Sequence, residues 1–302
     1  MTALTAPQFT KETAAIAHLE ASRWPNGVNC PHCGSVTVTR MGGETQAGMF
    51  QCNDCRDKFT CRTGTVMERS HIPVHKWLMA IHLLTASKKG MSAHQLHRML
   101  DITYKSAWFL CHRIREAMSN PKPKTGMGGA GHQVQADETY YGNTSKRAKH
   151  YKKGHSNKSG VVALVNPATG EARAFAVKSA TSEVINKILW TNIHGGTTLV
   201  TDESRLYQSH GYQKHETVWH AAAEYVNKDG FTTNNVENFF GIFKKGMVGV
   251  YHFCGEQHLQ RYLNEFSFRY SNRSGVGIGD VERAALALKG IEGKRLTYRR
   301  PD

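Results

Sequence analysis

Two Cys-x-x-Cys pairs place the tightest constraint on how the N-terminal part of this chain can fold. Cys30 and Cys33 form the first pair, Cys52 and Cys55 form the second, and eighteen residues separate the pairs. A two-residue gap turns both thiolates toward one ion, and two such pairs at this distance are typical of a four-cysteine zinc ribbon. The segment is too short to hold a core without a staple. The pattern therefore predicts one structural Zn²⁺ bound by these four cysteines.

Other interpretations of the cysteines remain open. A redox pair or coincidental buried cysteines would not require two matched pairs in a segment without a core. Cys61 or His32 could replace one ligand, whereas Cys111 and Cys254 are interpreted as ordinary buried cysteines. Seven cysteines, with four of them in these pairs, fit metal ligation in a reducing compartment better than a disulfide framework.

The charge of the chain indicates its partner. The 302 residues carry a formal net charge of +15, and the pI is near 9.6. Such an excess attracts a polyanion and releases its counterions on binding, so nucleic acid is the expected partner. No apolar run approaches the ~18 residues of a membrane-spanning helix, and the N-terminus lacks the features of a signal peptide. We therefore expect a cytoplasmic, nucleoid-associated protein without a membrane partner.

A linker rich in Pro and Gly divides the chain, since residues 119–132 carry no core residues and cannot hold regular structure. Beyond it, a hairpin, a helix, a buried strand and two amphipathic helices predict a mixed sheet flanked by helices. The fold class is therefore multidomain α/β. The expected segments are an N-terminal helix with its lead-in (1–29), the zinc ribbon (30–61), a helical segment (73–118), the linker (119–132), the α/β domain (133–275) and a C-terminal tail (276–302).

Residues 92–116 have the layout of a helix-turn-helix. Ser92 is expected to cap the first helix, the turn falls at Asp101 and Ile102, and Thr103 is expected to cap the second helix. The basic face of the second helix would then contact DNA phosphates or base edges. Its expected DNA-binding residues are Lys105, His112, Arg113 and Arg115. A helical connector with a basic face is the alternative.

Three acidic residues of the α/β region are placed as metal ligands would be. Asp137 and Asp202 each follow an apolar run, and Glu237 lies in a predicted helix, with 34 residues between it and Asp202. Lys244 follows two helical turns after Glu237, on the same helix face. Carboxylates from two strand ends and one helix are what a pair of magnesium ions needs for phosphoryl chemistry on nucleic acid.

Neighbouring residues leave alternatives open at this site. A single aspartate after an apolar run is more often a cap or a strand-end turn. Glu138 and Glu203 are rival carboxylates, but neighbours on a strand point to opposite sides, so only one of each pair can face the site. Asn234 or Asn235 is an alternative partner, although a carboxylate binds a hard divalent cation better than an amide does. Lys244 could equally be a solvated surface lysine.

The acidic set with its trailing lysine resembles the catalytic motif of DDE transposases and integrases. Together with the cysteine module, the segment Arg62-Thr-Gly-Thr-Val-Met-Glu with Trp77, and Asp137-Glu-Thr-Tyr, it makes the chain similar to bacterial insertion-sequence transposases of the IS1595 type. The resemblance runs from about Ala15 to Tyr270.

This resemblance implies an RNase H-like catalytic domain and a DNA transposase that cleaves insertion-sequence ends and joins the 3′-hydroxyl ends to target DNA. Asp137, Asp202 and Glu237 would bind two Mg²⁺, for which Mn²⁺ is an expected substitute. Lys244 would contact a DNA phosphate near the cut. The implied partners are double-stranded DNA, as terminal inverted repeats and target, and at least a second copy of the chain, because two ends must be held together.

A basic segment over residues 146–158 contains no acidic residue and suits the groove of transposon or target DNA. A solvated loop is the alternative. The expected DNA contacts of this segment are Lys146, Arg147, Lys149, Lys152 and Lys153.

Two rival functions remain. One is a non-catalytic zinc-ribbon and helix-turn-helix regulator derived from a transposase, which would have no physical reason to keep the complete acidic set. The other is an RNase H-type nuclease without strand transfer, which leaves the N-terminal DNA-binding modules unexplained.

Overall fold

The computed structural model describes residues 3–43, 46–119, 125–142, 158–208, 211–212, 214–219 and 225–297. The chain divides into two compact units, one formed by residues 1–119 with 278–302 and the other by residues 120–277. Within the described ranges, none of the helices has the length and apolar character needed to cross a membrane.

The N-terminal unit opens with helices α1 (Pro7–Thr10) and α2 (Glu12–Arg23), which are followed by a small antiparallel sheet. Its strands are β1 (Val38–Arg40), β2 (Met49–Cys52) and β3 (Lys58–Thr60), in the order β1-β2-β3. Phe50 and Phe59 stack with ring centroids 5.5 Å apart, and Trp24 packs edge-on against both rings. These aromatic contacts give the ribbon a small apolar base, and β3 was not expected from the sequence.

Three helices follow, as the sequence predicts: α3 (Val74–Ala86), α4 (Ala93–Leu100) and α5 (Tyr104–Ala117). The expected caps are confirmed, because the Ser92 hydroxyl accepts from the Gln95 N–H and the Thr103 hydroxyl accepts from the Ser106 N–H. Asp101 takes a left-handed conformation with φ 48°, which makes the turn between α4 and α5.

The α/β unit is built on a five-stranded mixed sheet. Its strands are β4 (Gln133–Tyr141), β5 (Ser159–Val165), β6 (Ala172–Val177), β7 (Thr198–Asp202) and β8 (His215–Val218). The order across the sheet is β6-β5-β4-β7-β8. The first three strands pair antiparallel, whereas β7 pairs parallel with β4 and β8 pairs parallel with β7. Strand β4 therefore lies at the centre of the sheet.

Helices cover both faces of this sheet. On one face, α6 (Ser182–Asn192) packs its apolar residues with those of β4, β5 and β7. On the other face, α7 (Asn234–Gly246) packs through Val236, Phe239 and Phe243, and α8 (Glu256–Ser271) packs through Leu259 and Leu263, in one core with residues of β5 and β6. The result is the three-layer arrangement expected for the α/β domain, with strand order and directions of an RNase H-like fold.

The expectation of a C-terminal tail from residue 276 is wrong for residues 280–289. These residues form helix α9 (Asp280–Lys289), which packs against α3 in the N-terminal unit. Arg283 is 5% exposed and donates to the backbone oxygens of Thr85 and Ile278. A buried arginine with these partners holds the chain end against the unit in which the chain begins.

Candidate metal centres and DNA-facing surface

The four paired cysteines converge in the N-terminal unit. The Sγ atoms of Cys30 and Cys55 are 3.7 Å apart, and those of Cys33 and Cys52 are 3.6 Å apart. All four ligand atoms lie within 4.8 Å of one another. A tetrahedral zinc with Zn–S bonds of about 2.3 Å requires sulfur–sulfur edges of about 3.8 Å. The cysteine cluster therefore fits a structural zinc ion.

The backbone around the second knuckle favours the thiolate. The N–H groups of Cys55 and Asp54 donate to the Cys52 sulfur and lower the pKa of that thiol to about 7. A thiolate is the form that binds a metal. Cys61 and His32 are not members of the four-cysteine group found among the described residues.

Asp137 and Asp202 lie beside each other on neighbouring strands. The parallel register places Gln135 opposite Val200, and each aspartate is two residues further along its strand. Alternate residues share a face of a sheet, so both carboxylates project toward the layer that contains α7. One oxygen of each accepts a backbone N–H, from Glu138 at 2.7 Å and from Ser204 at 3.1 Å respectively.

Glu237 lies in the first turn of α7, on the same side of the sheet as the two aspartates. Its Oε1 accepts a hydrogen bond of 2.7 Å from the Thr233 hydroxyl. Lys244 lies in the last turn of the same helix, and both Glu237 and Lys244 are exposed. The predicted placement of glutamate and lysine along one helix face is thus the one observed.

The electrostatics show that the acidic residues act on one another. Burial, together with the charges of Asp202, Glu138 and Glu237, raises the pKa of Asp137 to about 7. A carboxylate surrounded in this way holds its proton near neutral pH unless a cation offsets the repulsion. Such a donor set fits a hard divalent cation, which prefers carboxylate oxygens.

The three carboxylates are less tightly gathered than the cysteines. Among the residues that the structure describes, the cysteine cluster is the one group of three or more His, Cys, Asp or Glu residues whose ligand atoms all lie within 4.8 Å. Asp137, Asp202 and Glu237 do not meet that distance. Their mutual repulsion is a sufficient physical reason.

The rival carboxylate Glu138 faces the other side of the sheet. It accepts a 2.7 Å hydrogen bond from the hydroxyl of Tyr207, which is fully buried in the core layer beneath α6. Burial raises the pKa of Glu138, and the Tyr207 hydrogen bond opposes that shift. Glu203 immediately follows β7 and is partly buried.

Two of the expected DNA contacts on α5 are contradicted by burial. His112 is 1% exposed and Arg115 is 2% exposed, so neither can face a groove. Arg113 is half-buried, with its Nη1 donating to the Glu68 carbonyl oxygen at 3.0 Å and its guanidinium over the Phe109 ring. Of the four predicted residues, Lys105 is the exposed one.

The C-terminal segment returns to the end of α5. Lys294 donates from Nζ to the carbonyl oxygens of Ala117 and Ser119, which places the segment after α9 against the end of α5. A Cβ added at Gly290 would lie 2.2 Å from the Ala117 oxygen, so the approach is close. The sequence also indicated that Arg115 is buried, because it lies four residues after Cys111, which is expected to be buried, and so lies on the same face of the helix.

The exposed part of α5 is its first turn. Tyr104 is 43% exposed and stacks on the ring of His94, with centroids 4.1 Å apart and an angle of 18° between the planes. The first residues of a recognition helix are the ones that reach base edges. Tyr104 was not among the predicted contacts, although its position at the N-terminus of the second helix was a signal for it; His94 lies near the N-terminus of the first helix.

The basic segment falls mostly outside the described residues. Lys146, Arg147, Lys149, Lys152 and Lys153 are not among the residues that the structure describes, so their expected role stays a prediction.

Two family models match the chain. Residues 129–271 match the ISXO2-like transposase domain, and residues 10–58 match the transposase zinc-ribbon domain. A curated relative, described as an uncharacterized protein in transposable element ISH50 of Halobacterium salinarum, is 28% identical over 278 residues. The alignment covers 86% of this chain and 91% of the relative.

Two solved structures of retroviral integrases are also similar to parts of the chain. The HTLV-2 integrase catalytic core domain in complex with magnesium has 21% identity and a TM-score of 0.29, over 48% of this chain and 86% of that one. The simian T-cell lymphotropic virus intasome in complex with PP2A regulatory subunit B56 gamma has 20% identity and a TM-score of 0.30. That match covers 57% of this chain and 67% of the other.

The strand order, the matching domain models and the four-cysteine cluster are those of a transposase with a zinc ribbon and an RNase H-like DDE domain. More narrowly, both matching domain models are of the IS1595 type, so the chain is similar to the insertion-sequence transposases of that family.

Proposed function

We propose that this chain cleaves the ends of its insertion sequence and joins the resulting 3′-hydroxyl ends to target DNA by metal-dependent phosphoryl transfer. The observation that carries the proposal is the placement of Asp137 beside Asp202 on neighbouring parallel strands, with Glu237 close enough to shift the pKa of Asp137. The three groups come from two strands and one helix that are distant in sequence, and they lie on the same face of the sheet.

Asp137, Asp202 and Glu237 are the residues that would hold two Mg²⁺. When bound, the ions supply an activated water and offset the charge that develops on the phosphodiester. The protein residues contribute position and charge. The buried Asp137 carboxylate is costly without a cation, so the site favours occupation by divalent metal at neutral pH.

The DNA would lie along the exposed side of α7. Lys244 is exposed two turns beyond Glu237, where its ammonium can contact a phosphate close to the scissile one. The net charge of +15 supports binding of duplex DNA without sequence preference. Cleavage of two ends in one complex requires at least two copies of the chain, and we propose a homodimer or a higher oligomer.

The four cysteines would hold one Zn²⁺ as a structural ion. Their sulfur–sulfur distances match a closed tetrahedral shell, which leaves no open position for catalysis. The ribbon and the first turn of α5 would then bind the element end, while the α/β unit performs the chemistry.

The test is an end-cleavage and strand-transfer assay on labelled duplex that carries the DNA flanking the gene. Wild-type protein with Mg²⁺ should nick the element end and join it to a target duplex, whereas Asp137→Asn should bind the end without cutting it. Glu138→Gln is the matched control, because this neighbouring carboxylate faces the other side of the sheet and its loss should leave cleavage largely intact.

The rival functions give different results in the same assay. Wild-type binding to the ends with no cleavage at any Mg²⁺ or Mn²⁺ concentration would favour a regulator. Cleavage without joined product would favour a nuclease. Equal loss in Asp137→Asn and Glu138→Gln would contradict the assignment of the metal-binding face.

A further inference from the structure

Gln135 connects the central strand of the sheet to the start of α7. It is 1% exposed and lies in the middle of β4, between Val165 on β5 and Val200 on β7. Its Oε1 accepts two hydrogen bonds, from the N–H of Asn235 at 2.9 Å and from the N–H of Val236 at 3.2 Å. A backbone N–H can only donate, so the side-chain oxygen must face the helix.

These two bonds replace the usual cap of the helix. The second and third N–H groups of a helix are normally satisfied by the residue that precedes it. In α7 that residue is Thr233, which makes no capping bond, because its hydroxyl donates to Glu237 instead. Gln135, which lies in the sheet, therefore provides the hydrogen-bond acceptor for the first turn of α7 that Thr233 does not provide.

The link stands directly behind two of the candidate metal ligands. Asp137 is two residues beyond Gln135 on the same face of β4, and Glu237 is the residue after Val236. Only one or two residues of backbone separate these hydrogen bonds from the two carboxylates, so the backbone between them has little freedom to adjust. A change at Gln135 must therefore reach both carboxylates.

We propose that Gln135 is a positioning residue of the candidate metal centre, which fixes the first turn of α7 against β4 and so sets the separation of the Asp137 and Glu237 carboxylates. This inference rests on the proposed function, because it assigns a role within that centre. It also gives Thr233 a role, since its hydroxyl then orients the Glu237 carboxylate.

A purely structural role for Gln135 is a poorer explanation of its chemistry. Its Nε2 is buried and has no hydrogen-bond partner among the described residues. An unsatisfied buried donor costs about 1–3 kcal/mol, so an apolar side chain would suit the centre of the sheet better if packing were the sole requirement. The start of α7 has further anchors, because Val236 is fully buried and the Tyr270 hydroxyl donates to the Asn235 oxygen at 3.0 Å.

The test compares three variants of the full chain. Gln135→Met keeps the length of the side chain but removes the acceptor, whereas Gln135→Glu keeps an acceptor that suits a helix N-terminus. Gln133→Met is the matched control, because it makes the same change on the same face of the same strand, two residues earlier. Each protein is measured by amide hydrogen exchange without metal, by Mn²⁺ titration calorimetry and by the Mg²⁺ dependence of end cleavage.

Gln135→Met should speed exchange in the first turn of α7 by about tenfold and raise the Mn²⁺ dissociation constant and the Mg²⁺ midpoint of cleavage by roughly 10–100-fold. Binding to end DNA should be unchanged. Gln135→Glu should restore the slow exchange and most of the metal affinity, and Gln133→Met should resemble wild type. If Gln135→Met fails to fold, Gln135→Asn, which withdraws the acceptor by one methylene, is measured in its place with the same expected losses.

Wild-type exchange and metal affinity in Gln135→Met would overturn the inference. Equal losses in Gln135→Met and Gln133→Met, or in Gln135→Met and Gln135→Glu, would overturn it as well. Failure of the proposed function has a different signature: wild-type protein would bind Mn²⁺ through Asp137 but cut no DNA. The exchange and calorimetry results would still decide the role of Gln135.

Discussion

The cysteine cluster and the carboxylate site are the two candidate metal centres, and the fold brings their ligand atoms together to different degrees. The sulfurs lie 3.6 and 3.7 Å apart in pairs, close to the geometry of a bound zinc, whereas the three carboxylates do not gather within 4.8 Å. The two cysteines of each pair are held close together by a turn of four residues. Neutral thiols do not repel one another, so the four sulfurs can approach closely without a metal ion. The carboxylates come from three distant elements and repel one another. Local spacing is therefore sufficient for the first site, while the second depends on long-range links and on the cations themselves.

The largest effect is expected from removing zinc. Apparent zinc binding to small structural sites supplies about 10–16 kcal/mol, and the ribbon has only a small aromatic base to replace it. Cys52→Ser, or wild-type protein treated with a strong chelator, should lose the near-ultraviolet circular dichroism of Trp24. Metal analysis should find about one zinc per wild-type chain. If the zinc-free protein keeps its near-ultraviolet circular dichroism, the ribbon folds without metal, and the cysteine cluster does not differ from the carboxylate site in its need for a bound ion.

The next effect is on catalysis. Asp202→Asn or Glu237→Gln keeps the size of the side chain but removes charge that would hold Mg²⁺, so end cleavage should fall by roughly 10³-fold or more. Quantified single-turnover cleavage measures this, and binding to end DNA should survive. Glu203→Gln is the control next to Asp202. Robust cleavage by Glu237→Gln would move the third ligand to Asn234 or Asn235.

A third effect concerns stability and pH. The folded-state pKa of Asp137 is about 7, above its ordinary value of 3.8, so the native state without metal binds an extra proton between these two pH values. The protonated carboxyl contributes its full stability below the unfolded-state pKa of 3.8, and this contribution is lost as the pH rises through the folded-state pKa of about 7. The free energy of unfolding falls by at most about 4 kcal/mol over this range.

Asp137→Asn should remove this pH dependence. The metal-free variant should be more stable than metal-free wild type in urea unfolding at pH 8 and equal to it at pH 4. Mg²⁺ should stabilise wild type and have little effect on the variant. If the urea midpoints of the two proteins differ by the same amount at every pH from 4 to 8, the pKa of Asp137 is not raised in the folded state.

The smallest effect is expected on the helix-turn-helix. Tyr104→Ala or Lys105→Ala should weaken binding to the element end by about 1–2 kcal/mol, and loss of Lys105 should lower the salt-dependence slope by about one if it contacts a phosphate. Fluorescence anisotropy over a salt series measures both. Gln95→Ala, on the neighbouring helix, provides a control. If Arg113→Ala folds normally but weakens binding to the element end more than Lys105→Ala does, then Arg113 contacts DNA despite being half-buried.

Local patterns predicted much of the fold. The apolar alternation of β5 and β6, the caps at Ser92 and Thr103, and the amphipathic α7 are all governed by interactions between residues close in sequence. Strand β8 and helix α9 were not predicted. Strand β8 is only four residues long, and α9 is stabilised by Arg283 binding to Thr85, which is far away in the chain.

The site shows the same division. Cysteine spacing alone predicted which four cysteines converge, because each pair lies in one short turn of the chain. The acidic spacing with its trailing lysine predicted the residues that we propose for catalysis. Packing between distant segments decided the rest. It buried Arg115, turned Glu138 toward Tyr207, and placed the first turn of α7 against Gln135. These outcomes depend on which surfaces meet in three dimensions, and no local spacing carries that information.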